Sequence, residues 1–301
     1  MALSPFKAAR VETAVEERSF PRESLAERVK VLQPQEVILG LFGEYVGLDQ
    51  RAWSGGLVQG LGDLGFSPAA ARVALVRVVA RQFLAPIKRG RFVFYKITPR
   101  LRLVHEDGRK RVFSQTPTPH WNGDWTIVWY NIPEGQRLQR ARLGRWLNLR
   151  GFGSIQDGTW IAPGAHAEAV TSLASRLGVS ANIVVIVGQL ADGINVRATI
   201  DRAWRIEDLT EVYEYFVSEF ERFTDERKVS RLPKREAFIV RTRLIETFRQ
   251  ATTFDPGLPD RVLGISWRRG DAVRCFNTAE KLLHGSALAY FRSIAVDGEL
   301  R

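Results

Sequence analysis

Hydrophobic spacing changes character several times along the chain, and each change predicts a different kind of element. Residues 1–33 are polar and lack a clean period, which predicts an N-terminal arm or a loosely attached helix. In PQEVILGLFGEYV the residues Ile38, Leu41, Phe42 and Tyr45 fall at i, i+3, i+4 and i+7, an amphipathic helix with Pro34 suited to its first turn. SGGLVQGLGDLG fits a second short helix, and Gly65 supplies a turn. Ser67 is a good N-cap and Pro68 a good first residue for a third helix that runs to about Gln82. On that helix Ala71, Leu75, Val78 and Val79 share an inward face. At about 100° per residue the outward arc holds Ala69, Val73, Val76 and Ala80, flanked by Arg72 and Arg77.

The period then drops to two. FLAPIKRGRFVFYKI predicts strand, turn, strand, with Lys88-Arg89-Gly90-Arg91 at the tip and Phe92, Phe94 and Lys96 alternating with Val93, Tyr95 and Ile97. Helix, helix, glycine turn, helix and basic hairpin over residues 34–104 make a winged helix-turn-helix. Its third helix would enter the major groove of duplex DNA, offering Ser67, Ala69, Arg72, Val73, Val76 and Arg77, while Lys88, Arg89 and Arg91 rest on phosphates.

Residues 105–120 are polar and proline-punctuated, a linker. From 121 to 200 the order is strand (DWTIVWYNIP), helix (QRLQRARLGRWLNLRG), two strands about Asp157-Gly158, helix (AHAEAVTSLASRLG) and strand (ANIVVIVGQL). That order suits a ferredoxin-like unit, and the last strand is apolar enough to be buried on both sides. Residues 201–301 are mainly helical, with Leu209, Val212, Tyr213, Phe216, Phe220 and Phe223 forming one core-facing stripe. The fold class is therefore α+β and multidomain.

Charge sharpens this reading. The formal net charge is +11, and from Ser67 to Val104 nine cations occur without one Asp or Glu. A solvated structural face normally mixes signs, so a one-sign stretch points to a polyanion. A single cysteine, Cys275, excludes an internal disulfide framework, and the four histidines show no metal-ligand spacing, so neither cofactor nor metal is expected. No apolar run is long enough to span a bilayer and the N-terminus lacks an apolar signal region, so the cytoplasm is the default compartment.

Two motifs lead elsewhere. GLGDLG, Gly60 to Gly65, has the spacing of a dinucleotide fingerprint, but it lies within a helical pattern and not after a strand. RGRFVFY is close to an RNA-binding strand signature yet one residue short, and an RNA adaptor would stack bases on Phe92, Phe94 or Tyr95.

The ordered fragments LFGEYV, AARVALVRVV, GDWTIVWYNIPE, RGFGSIQDGTWIAP, WRIEDLTEVYEYF and FRQATTFDPGLPDRVLGISW resemble the PaaX family of transcriptional repressors, over about Gln35 to Ile294. The resemblance implies a winged helix, a central Cas2-like ferredoxin fold and a helical C-terminal domain. It also implies a homodimer on operator DNA, released by an aryl-CoA thioester such as phenylacetyl-CoA and controlling an aromatic-acid catabolic operon. Arg72 and Arg77 match the two arginines of the family's third helix, and Arg89 and Arg91 lie in its wing. Val73 and Val76 stand where such helices commonly carry Thr or Ser, which puts the recognised base sequence in question.

Cas2-type nucleases hold a divalent metal with an aspartate after the first strand, and the matching position here is Asn131, a poor ligand for Mg²⁺. A metal-dependent nuclease is thus the rival enzymatic reading. The effector's place is not legible, although Trp204 and Trp267 could border a pocket at the seam between the central and C-terminal segments.

Overall fold

The computed structural model describes residues 29, 31–105, 121–204, 206–258, 263 and 268–296. Most of the expected arm and linker, and Trp267, lie outside the described residues. Helix α1, Pro34–Leu41, buries Val37, Ile38 and Leu41 and passes into a π turn, Phe42–Val46, that buries Phe42, Tyr45 and Val46. Strand β1 (Arg51–Trp53) precedes α2 (Ser54–Asp63), and after the Gly65 turn comes α3 (Pro68–Ala80). Strands β2 (Leu84–Arg89) and β3 (Phe92–Ile97) form the hairpin, with β1 paired to the other edge of β3 in an antiparallel sheet of order β1-β3-β2. At three residues, β1 is too short to show an alternation, so periodicity did not predict it.

Next come β4 (Trp125–Tyr130), α4 (Arg137–Leu149), β5 (Gly153–Gln156), β6 (Thr159–Pro163), α5 (Ala167–Leu177) and β7 (Ile183–Gly188). All pairs are antiparallel and the sheet order is β5-β6-β4-β7, the split βαβ arrangement. Leu143 and Leu147 of α4 and Val170, Leu173 and Ala174 of α5 cover one face of the sheet over Val128 and Tyr130. Gly158, at φ +72°, makes the β5–β6 turn, and Gly178, at φ +70°, ends α5.

One expectation fails here. β7 is not buried on both sides but is an edge strand, with Val184 44% and Ile186 54% exposed. An apolar run cannot by itself distinguish a central strand from an edge, because pairing with other strands and not composition decides the position. Opposite Val184 in the register lies Trp129 of β4, also half exposed.

The remaining helices are α6 (Val196–Trp204), α7 (Ile206–Phe220), α8 (Glu226–Val229), α9 (Lys234–Phe254) and α10 (Arg269–Ala295). The α7 stripe from Leu209 to Phe220 is buried as its spacing predicts, and so is Phe223 in the turn beyond. α10 packs along α9 and reaches α2. One continuous core therefore joins the described residues up to Leu101 to the C-terminal helices, with Tyr45 meeting Phe238 and Phe291 at ring-centroid distances of 5.3 and 5.2 Å. Of the three glycines of GLGDLG, Gly60 belongs to this contact, and Gly65, at φ +97°, makes the turn after α2. α2 is helical through Asp63, and Gly60 faces the rings of Phe291 and Phe238.

Candidate nucleic-acid interface

The local sequence builds α3 as expected. The Ala70 N–H donates to Ser67 Oγ at 3.2 Å, and Pro68 occupies the first turn, where a missing N–H costs nothing. Ala71, Ala74, Leu75 and Val78 are buried, whereas Ser67, Ala69, Arg72, Val73, Val76, Arg77 and Ala80 are exposed. The buried arc thus includes Ala74, which the helical wheel had not singled out, and Val79 is only half buried. Val76 is 67% exposed, an apolar side chain in solvent beside two arginines.

The hairpin turns at Gly90, whose φ of +59° few other residues adopt readily. Lys88, Arg89 and Arg91 are all exposed there. Arg91 lies 5.0 Å from the Phe92 ring centroid, and that ring meets Trp53 edge-on at 6.2 Å. Phe94 is fully buried and Tyr95 half buried, so the aromatic alternation builds the sheet's own core and not a stacking platform for bases.

Eight of the nine cations divide into two groups, and the ninth, Arg91, lies over the Phe92 ring. Arg81 donates to Gln35 Oε1 at 2.7 Å, Arg100 to the Arg81 carbonyl at 2.9 Å, and Arg102 pairs with Asp49 at 2.8 Å. These three stitch the unit together. The side chains of Arg72, Arg77, Lys88, Arg89 and Lys96 make no hydrogen bond or ion pair with the described residues. α3 and the hairpin tip therefore present uncompensated positive charge with donors available for phosphate oxygens.

Long-range contacts missed by sequence reasoning fix this unit to the C-terminal helices. Arg241 of α9, 1% exposed, reaches Glu44 at 3.0 Å and Glu280 at 2.7 Å. Burial opposes its charge, but Tyr45 beneath the guanidinium and the two carboxylates hold its pKa above the ordinary arginine value. Arg249 pairs with Glu36 of α1 at 3.1 Å, and Asp63 of α2 accepts from Arg235 at 2.7 Å and from Tyr290 Oη at 2.6 Å. Partners about 170 to 230 residues apart leave no local signal.

In the central unit, the Asn131 N–H donates to the Asn182 carbonyl at 2.9 Å, and its own carbonyl accepts from Asn182 Nδ2 at 3.1 Å. Among the described residues no group of three or more His, Cys, Asp or Glu could hold a metal ion. Trp204 is buried, stacks obliquely on Trp125 at 6.2 Å and donates to the Gly151 carbonyl at 3.0 Å, so it packs the seam between sheet and helices. No helix among the described residues is long and apolar enough to cross a membrane.

Three family models match successive parts of the chain: one described as PaaX-like protein over residues 33–101, the PaaX protein central Cas2-like domain over 118–200, and the PaaX-like protein C-terminal domain over 204–293. A curated relative is the transcriptional repressor PaaX of Escherichia coli (strain K12), 26% identical over 246 residues, which span 79% of this chain and 76% of that protein. Among solved structures, an uncharacterized protein from Mycobacterium tuberculosis aligns with a TM-score of 0.50 at 19% identity, covering 88% of this chain and 99% of that one. This last likeness concerns fold alone.

Proposed function

The chain belongs to the PaaX family, and from that premise we propose that it is a DNA-binding transcriptional repressor without enzymatic activity, acting in the cytoplasm. The observation that carries the reading is the outward face of α3 beside the hairpin tip, where the side chains of Arg72, Arg77, Lys88 and Arg89 have no partner among the described residues. Residues 34–104 act as a winged helix. α3 enters the major groove, Arg72 and Arg77 contact bases or phosphates at its flanks, and the exposed methyls of Val73 and Val76 pack on thymine methyls. Lys88, Arg89 and Arg91 hold the backbone.

The proposal divides the rest of the chain into an arm over 1–33, a linker over 105–120, a Cas2-like unit over 121–200 and a helical domain over 201–301. A homodimer places two copies of α3 on a two-fold-related operator. The edge position of β7, with no further strand paired to it among the described residues, and the exposed apolar side chains of Val184, Ile186 and Trp129 support the central unit as its contact. An aryl-CoA thioester, with phenylacetyl-CoA as the first to test, releases the operator of an aromatic-acid catabolic operon by binding the DNA-incompetent state more tightly.

Fluorescence anisotropy with duplex DNA from upstream of the gene tests this reading. Replacing Arg89 and Arg91 together by Ala is expected to weaken binding to every duplex and to flatten the log–log salt slope by about 2. An unchanged slope removes the hairpin from the interface, and equal affinity for random duplex removes the operator.

A further inference from the structure

A cleft of about 390 Å³ opens between the end of α7 with its following 3-10 turn and the first half of α9. Its volume falls within the usual range of small-ligand sites. Phe220, Phe223, Ile239 and Val240 give it an apolar floor. Arg235, Ile239 and Arg243 follow at i, i+4 and i+8, so the two arginines stand in one row along α9 with Ile239 between them. Arg222 joins them from the opposite wall, lying 4.7 Å from the Phe223 ring centroid. Arg243 makes no ion pair with the described residues. Glu219 and Glu236 also stand on the rim, so the cleft is not simply basic. Its cations lie around an apolar floor.

That arrangement selects a ligand class. A neutral apolar molecule leaves Arg243 without an ion pair among the described residues, and an organic cation meets three guanidiniums against the two carboxylates of Glu219 and Glu236. An anion carrying an apolar group uses both parts, because guanidinium groups bind carboxylate and phosphate oxygens through paired donors.

Arg235 also faces the DNA-binding unit. Its Nε donates to Asp63 Oδ1 at 2.7 Å, and Asp63, whose side chain is 9% exposed, is the last residue of α2 before the turn into α3. The other Asp63 oxygen accepts from Tyr290 of α10. One cation is therefore shared between the cleft and the helix that leads into the recognition face.

We propose that the cleft binds an organic anion with an apolar group, and that the anion acts by drawing Arg235 away from Asp63. The inference rests on the effector reading above and adds where such a ligand sits and how its arrival reaches α3. Withdrawing Arg235 leaves a nearly buried carboxylate short of a donor, which is unfavourable. α2 relieves this by shifting against α9 and α10, and the turn into α3 moves with it. By linkage, Asp63 and the ligand compete for the same guanidinium, so each weakens the hold of the other.

Calorimetric titration with phenylacetyl-CoA, and with coenzyme A and free phenylacetate as controls, tests both halves in the full-length protein. Thermal melting verifies that each variant folds. Arg222→Ala with Arg243→Ala is expected to weaken phenylacetyl-CoA binding about tenfold or more. Asp63→Asn is expected to bind it more tightly, while the ligand's effect on DNA affinity shrinks. Unchanged affinity in the double variant puts the ligand elsewhere and leaves the effector reading standing. A wild-type protein that binds none of the three compounds overturns that reading and the cleft's role together. Full loss of DNA binding on ligand addition to the Asp63→Asn variant overturns the relay through Arg235.

Discussion

Burial pushes the Cys275 thiol up to about 11, with the Glu221 carboxylate adding to the effect. The thiolate is the reactive form, so a thiol reagent near neutral pH is expected to modify the folded chain far more slowly than the denatured one. Equal rates would mean that the α10 site is open. In the unfolded chain the thiol titrates near its ordinary 9.0, below its folded value. The unfolded state thus loses the proton first, and this residue's contribution to stability falls as pH rises from about 9 towards 11. Single residues were legible wherever their role is local. Ser67 caps α3 and Gly158 turns β5 into β6, because each acts on backbone within a few positions of itself. Ala74 was less legible, since the helices that pack on α3, α1 and α2, lie outside its own segment.

At the scale of elements, α2 and α10 meet at a point where no side chain fits. A methyl on Gly56 would run into the backbone of Ile294 and Ala295, and backbone cannot swing aside as a flexible side chain can. Gly56→Ala is therefore expected to destabilise the protein by about 1–3 kcal/mol despite the better helix propensity of alanine, read as a lowered midpoint in urea. An unchanged midpoint would show that the two helices can separate without loss. Further along α2, Gly60 packs on Phe291 of α10 and Gly65 turns the chain, so the first and last glycines of GLGDLG serve helix packing and a turn although their spacing imitates a nucleotide fingerprint. Periodicity located β4 to β7 and both covering helices because each carries its own pattern. It could not tell that β7 lies at an edge, because edge position is decided by pairing with other strands.

For the whole molecule, the main surprise is that the core does not stop where the linker begins. Tyr45, Phe238 and Phe291 pack together, and Glu36, Glu44 and Asp63 reach across to Arg249, Arg241 and Arg235. Residues 34–105 alone would leave that surface bare. Expressed as a fragment, they are expected to melt at lower temperature than the full chain and to bind a hydrophobic dye. A sharp transition at the full chain's temperature would instead show a self-sufficient unit. None of this union was visible in the order of segments along the sequence, which suggested three bodies joined by polar connections.

That union constrains how such a protein can be rewired. Exchanging the first 104 residues for those of a relative, a natural cut for a protein built as beads on a string, would sever ion pairs and an aromatic cluster whose other halves remain in α9 and α10. A working hybrid must carry those two helices along with the transplanted segment. Otherwise the DNA preference proposed for α3 must be rewritten in place, at the exposed Arg72, Val73, Val76 and Arg77, on a face that leaves the shared interior untouched.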